Sequence, residues 1–226
     1  MSAKSHQLAA AMCGFLGFAA LGIYYSVPFP LPPPNATLDQ LINGLRGYQN
    51  RIFFDSWLLA TGSLLQVVFA ISLVYLARAA TRFWGMFAIL ASAAILAVSL
   101  FDAAFTIAAV EAAANGHPNT SLVCFDLTNS MRHVFLVAPS LFLPLGATLV
   151  TSRLLPRALA YSALTLGVLF ELLGLATFFS HTAEALIIAV LIGQELWMLA
   201  AAVALAVFGD RTDAVTISVP KNGPAD

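Results

Sequence analysis

Charge is what this chain has least of. Asp, Glu, Lys and Arg make up 9% of its residues, against about 25% in soluble domains, so there is too little charge to clothe a water-facing globule. Lys plus Arg number 10 and Asp plus Glu 11, for a formal net charge of −1. With no basic cluster, nucleic-acid binding and an anionic-lipid patch have no electrostatic footing. There are 2 cysteines, Cys13 and Cys124, at opposite depths of the expected topology and outside any Cys-x-x-Cys motif, which excludes an intramolecular disulfide and a dithiol redox site. No H-E-x-x-H, G-x-S-x-G or P-loop occurs, nor a His-x-x-x-His pair, so hydrolase, nucleotide and metal chemistry lack a motif, and neither metal nor cofactor is expected.

Apolar residues are what is there. They form 60% of the chain, and the mean hydropathy is +0.89. Runs of about 20 apolar residues, each able to cross roughly 30 Å of hydrocarbon, fall near 8–27, 52–77, 83–110, 122–150, 158–180 and 184–208. Backbone N–H and C=O groups find no water in lipid, so spans without barrel-strand alternation must be helices. The expected fold is all-α, a bundle of six transmembrane helices over residues 1–208 with a flexible cytoplasmic tail at 209–226. Residues 8–27 read as a retained helix, longer in their apolar stretch than a signal peptide. Lys4, Arg78, Arg82, Arg153, Arg157, Arg211 and Lys221 fall on one side and only Arg46 and Arg51 on the other. The excess of Lys and Arg marks the cytoplasmic face, placing both termini inside and the protein in the cell's inner (plasma) membrane.

One long connection, 28–50, begins "PFPLPPP", which is stiff and polyproline-like. Thr37 and Gln40 then have capping-box spacing, and Leu38, Leu41, Ile42, Leu45 and Tyr48 share one face. They predict an external amphipathic helix over about 37–49, either lying on the membrane surface as a linker or lidding a cavity. The sequons at Asn35 and Asn119 both fall in outward connections.

Charges at membrane depth stand out against this background. An ionised residue at mid-span costs roughly 2.5 to 3.5 kcal/mol on the insertion scale, and each large apolar residue returns about 0.3 to 0.6. In 122–150, Asp126, Asn129, Ser130, His133 and Ser140 line up at helical spacing, with Arg132 at the edge of the stripe. Such a stripe is expected to face the bundle interior or a water-filled cavity, and Pro139 and Pro144 are expected to kink the helix. Ser92, Ser99, Asp102 and Thr106 share one side of the third span. Arg51 and Asp55 have the i,i+4 spacing of an ion pair, on the face that also carries Gly62 and Gln66. Glu171 and Glu195 lie near mid-membrane with no obvious partner. Carboxylates outnumber fixed cations at this depth, so Glu171 or Glu195 is expected to carry a proton or to hold a cation. Each charge also has a structural reading as a hydrogen-bond or ion-pair partner that fixes helix register.

The segment "SRLLPRALAYSALTLGVLFELLGL" at 152–175, taken with the Pro-rich loop, resembles uncharacterised six-helix integral membrane proteins of bacteria grouped as a domain of unknown function. The resemblance implies the layout and carries over no active site. The leading expectation is binding or transport of a small polar or amphipathic molecule through an outward-facing cavity lined by Asp55, Asp102, Asp126, Asn129, Arg132 and His133, coupled to protonation of Glu171 or Glu195. An intramembrane enzyme using carboxylate acid/base chemistry on a lipid or isoprenoid is the alternative, and a non-catalytic accessory subunit a third. The expected neighbours are membrane lipids, a small-molecule ligand, and a second copy or a partner membrane subunit.

Overall fold

A computed structural model describes residues 3–26, 38–137, 140–152, 154–177, 179 and 182–208. The polyproline stretch, Thr37, Asn35 and the 209–226 tail lie outside these. All regular structure among the described residues is helical: α1 Ala3–Ser26, α2 Leu38–Gly47, α3 Gln49–Leu76, α4 Phe83–Ala114, α5 Pro118–Val137, α6 Phe142–Thr151, α7 Arg157–Thr177 and α8 Thr182–Phe208. Five of them, α1, α3, α4, α7 and α8, are long and apolar enough to cross a membrane.

The segment expected as one fourth span, 122–150, is instead two helices. α5 stops at Val137 and α6 starts at Phe142, and the interval contains Pro139, which has no N–H to donate and a fixed φ. Pro144 falls in the first turn of α6, where no intrahelical N–H bond is needed. Ser140 and Leu141, just before α6, are outside any helix, so a break replaces the expected kink.

Helix ends elsewhere are closed by backbone geometry. At the end of α4, Gly116 takes φ 76°, His117 N–H reaches the Ala112 carbonyl at 2.8 Å and Gly116 N–H the Ala113 carbonyl at 3.3 Å, a Schellman ending. α3 ends the same way, with Ala79 N–H on Val74 and Arg78 N–H on Tyr75. Here the left-handed position, φ 52°, is filled by Arg78.

The helices close a ring in the order α1, α3, α4, α6, α7, α8 and back to α1, with α5 packed along the other part of α4 and touching α7 only marginally. At the end of the bundle that carries α6, one continuous core joins Ala10 and Ala11 of α1, Phe69 and Leu73 of α3, Leu145 and Leu149 of α6, Ala163 of α7, and Met198 and Leu205 of α8. At the α5 end the buried cluster is small: Ile42 and Leu45 of α2 with Ile52, Val110 and Ala113. The apolar side of α2 therefore rests on the ends of α3 and α4, and Arg46 Nε fixes it there by donating to the Ala113 carbonyl.

Candidate functional site at the helix break

Glu171 reaches the break because α7 comes unusually close to α6. A Cβ on Gly167 would lie 2.3 Å from the Leu143 nitrogen, and one on Gly146 would lie 2.4 Å from the Leu164 nitrogen. These two backbones are in direct contact, as small residues permit between membrane helices. Glu171 follows Gly167 by four residues on the same face, so its carboxylate arrives at the first free amide before α6. The Ser140 N–H donates to Glu171 Oε1 at 2.6 Å. A carboxylate at the amino end of a helix satisfies an orphan amide and matches the positive end of the helix dipole.

Ser140 itself is 4% exposed, and its Oγ is buried with no hydrogen-bond partner. The floor beneath it is fixed. Phe142, at the start of α6, packs edge-on against Trp197 with ring centroids 5.2 Å apart, and Trp197 Nε1 donates to the Leu159 carbonyl at 2.8 Å. One indole thus joins α8 to both α6 and α7.

Glu195 is held elsewhere, on α8, where Gln66 Nε2 of α3 donates to its Oε2. Gly17 of α1 lies against Gln66, with room for no Cβ beyond 2.9 Å of the glutamine Cγ, so three helices meet at this amide–carboxylate pair. The adjacent Gln194 has a buried Nε2 with no partner.

The remaining carboxylates are distributed along the bundle. Asp55 pairs with Arg51, Nε to Oδ2 at 3.4 Å, the i,i+4 geometry of their spacing. Asp102 is half-buried on α4, and its carbonyl accepts from Thr106 Oγ1, which also meets Thr128 Oγ1 at 3.3 Å. Asp126 and Ser130 are exposed on the surface of the bundle, with Asn129 half-buried beside them. The expectation of an interior position is corrected for Asp126 and Ser130 alone, since Ser140 of the same stripe is buried. α5 turns Ser121 and Thr128 toward α4 instead, and Ser121 Oγ donates across to the Ala109 carbonyl at 2.7 Å. At 100° per residue Asp126 stands about 160° from Thr128, on the far side of that contact. Arg132 and His133 continue α5, and their side chains lie outside the described residues.

The elements that organise the site were only partly visible as chemistry. Ser140 appears in the polar stripe as a side chain, yet the group that engages Glu171 is its backbone amide. Gln66 and Gly167 carry no charge, and their signals are weak ones: a lone amide in an apolar run, and a small residue four before a glutamate. Among the described residues no three His, Cys, Asp or Glu side chains gather into a metal-binding group.

What the fold and site define is a class: an all-helical bundle with five helices of membrane-spanning length and a broken helix whose gap faces a carboxylate. Compared with known families, curated proteins and solved structures, the chain matches no family model, no curated protein and no solved structure.

Proposed function

We propose that the protein is a six-span inner-membrane protein, termini cytoplasmic, in which the broken α5–α6 segment is the sixth crossing and which binds and transports a small polar or amphipathic molecule. The observation that carries this reading is the Glu171 carboxylate on the Ser140 amide at the break. Interrupted helices whose half-helix ends address a ligand or an ion are the recurring device of secondary transporters. The packing supplies a means of movement. α6 is locked in the shared core, whereas α5 rests mainly on α4, so α5 swings about the break and widens the gap toward α7. The test is a flux measurement on proteoliposomes, screening amino acids, sugars, organic acids and single-chain amphiphiles by currents on a solid-supported membrane. One class should give a saturable signal that falls at least about tenfold in Glu171→Gln, the scale of losing one charged contact of about 1.4 kcal/mol. If no class gives a signal in the parent protein, the transport reading fails.

A second reading is favoured by one specific observation: Asp126 and Ser130 are exposed on α5. A charged group facing lipid at depth is costly, and a neighbouring membrane helix, from a second copy or a partner subunit, would cover it. Ser130→Cys should then form a disulfide across an oligomer in native membranes. A purely monomeric band after oxidation counts against this reading.

A further inference from the structure

Arg46 and Arg51 are too few to make a polybasic run, but the corner between α2 and α3 gathers both around one cavity. Its volume is about 330 Å³ and its lining is Arg46, Gly47, Tyr48, Gln49, Asn50 and Arg51, within the roughly 300 to 1,000 Å³ of small-molecule sites. Arg46 Nε donates to the Ala113 carbonyl, which fixes the guanidinium and leaves its two terminal nitrogens for the cavity. Arg51 Nε meets Asp55 Oδ2 at 3.4 Å, long for a charge-assisted bond of about 2.7 to 2.9 Å. Two arginines and one paired carboxylate leave one positive charge at the corner. The other acids nearby are turned or set away: Asp39 lies two turns back along α2, about 10 Å from Arg46 along the axis, and Glu111 stands about 160° around α4 from Ala113. Beneath the cavity the outward side of α3 is apolar. Asn50, Phe54 and Trp57 follow one another at i, i+4 and i+7, the two rings exposed and stacked at 6.0 Å, and exposed Leu64 and Val68 continue the line. A polar, positively charged cavity thus opens onto an apolar strip along a helix of membrane-spanning length.

We propose that this corner binds one anionic phospholipid, with its phosphate between Arg46 and Arg51 and an acyl chain along Phe54, Trp57 and Leu64. Guanidinium groups recognise phosphate through paired N–H bonds, and the side-chain amides of Gln49 and Asn50 add neutral donors for the rest of the headgroup. Charge selects the lipid class. A phosphodiester whose headgroup is otherwise uncharged neutralises the corner, whereas a zwitterionic lipid brings an ammonium group up to two guanidiniums. The apolar strip selects a lipid over a free phosphate, because only a lipid has a chain to lay on it. Tryptophan belongs at the boundary between headgroups and hydrocarbon, which sets Trp57 just below the depth of a lipid phosphate. The site requires α3 to cross the membrane and is independent of the transport reading.

The test is native mass spectrometry of the full chain in detergent, titrated with dioleoyl phosphatidylglycerol or dioleoyl phosphatidylcholine. The first phosphatidylglycerol should half-saturate at a concentration at least about tenfold lower than phosphatidylcholine, the scale of one charge-assisted contact. Arg51→Gln, which leaves the Arg46 contact to Ala113 intact, should remove that preference. Arg51→Lys, which keeps the charge and loses the fork, should remove part of it, and carries the test if Arg51→Gln does not fold. Trp57→Ala should weaken both lipids by a similar factor, and Arg82→Gln, at the opposite end of α3, should change neither. Equal binding of the two lipids overturns the proposal, as does a preference that survives the Arg51 variants, one that is lost with Arg82, or affinities untouched by Trp57→Ala. Full displacement of phosphatidylglycerol by inorganic phosphate also overturns it, since the cavity would then be a site for soluble anions.

Discussion

The two ends of this bundle are built on different principles. At the α6 end, residues from six helices share one apolar core, and glycines at 146 and 167 bring two backbones into contact. At the α5 end, α5 is held to α4 by hydroxyls, Ser121 on the Ala109 carbonyl and Thr106 on Thr128, and the buried apolar cluster is small and lies under α2. In lipid, burial of apolar surface drives little association, so close packing and hydrogen bonds decide which helices stay together. The α6 end has packing shared among many helices, whereas α5 is paired along its length with α4 and meets α2 and α7 only slightly. The two helices of the same broken segment thus belong to different packing neighbourhoods.

Three substitutions sharpen or break this contrast. The largest effect is expected from Gly167→Leu, which forces side-chain atoms into the Leu143 backbone. Overpacking against atoms that cannot rotate away should cost about 3 kcal/mol, or a fall of roughly 6 to 12 °C in melting temperature at this chain length. A fall of a degree or less would mean that the α6–α7 contact is as loose as the other end. Next comes Arg78→Gly. An L-residue in the left-handed region costs roughly 1 to 2 kcal/mol, part of which glycine loses again as chain entropy, so the variant should be more stable by about 1 kcal/mol in denaturant titration. A loss of stability would show that the Arg78 side chain anchors the α3–α4 corner more strongly than its backbone strains it. The smallest effect is expected from Asp126→Asn, on the exposed side of α5, which should lie within about 0.5 kcal/mol of the parent protein. Destabilisation of about 3 to 5 kcal/mol, the signature of a broken buried ion pair, would place this stripe in an interior contact and erase the difference between the ends.

Much of the helical layout follows from run length and hydropathy alone, because lipid leaves the backbone no alternative to helices in such runs. The break was half legible. Pro139 and Pro144 mark it, and the polar run at 126–133 makes α5 markedly less apolar than α6, but neither signal says that α6 packs as a separate helix on α7. Helical projection correctly groups Asp126, Asn129 and Ser130 on one face and cannot say which face meets a neighbour. The face that does is the one with Ser121 and Thr128, small hydroxyl residues that permit close approach. Partners for Glu171 and Glu195 were beyond the sequence for a different reason. They come from residues 31 and 129 positions away, and one of them is a main-chain amide, which no residue type announces.

That separation of 31 residues between Ser140 and Glu171 also sets a clock during biosynthesis. At about 5 to 20 residues per second, the Ser140 amide is made roughly 2 to 6 s before its matching carboxylate. For that interval the amides at the start of α6 have no partner within the nascent chain, and the half-helix has neither the length to span a bilayer nor the neighbour that fills its glycine groove. The α5–α6 segment would therefore wait at the insertion machinery and enter the membrane only as a unit with α7, so that damage to Gly167 or Glu171 would appear first as low yield of inserted protein.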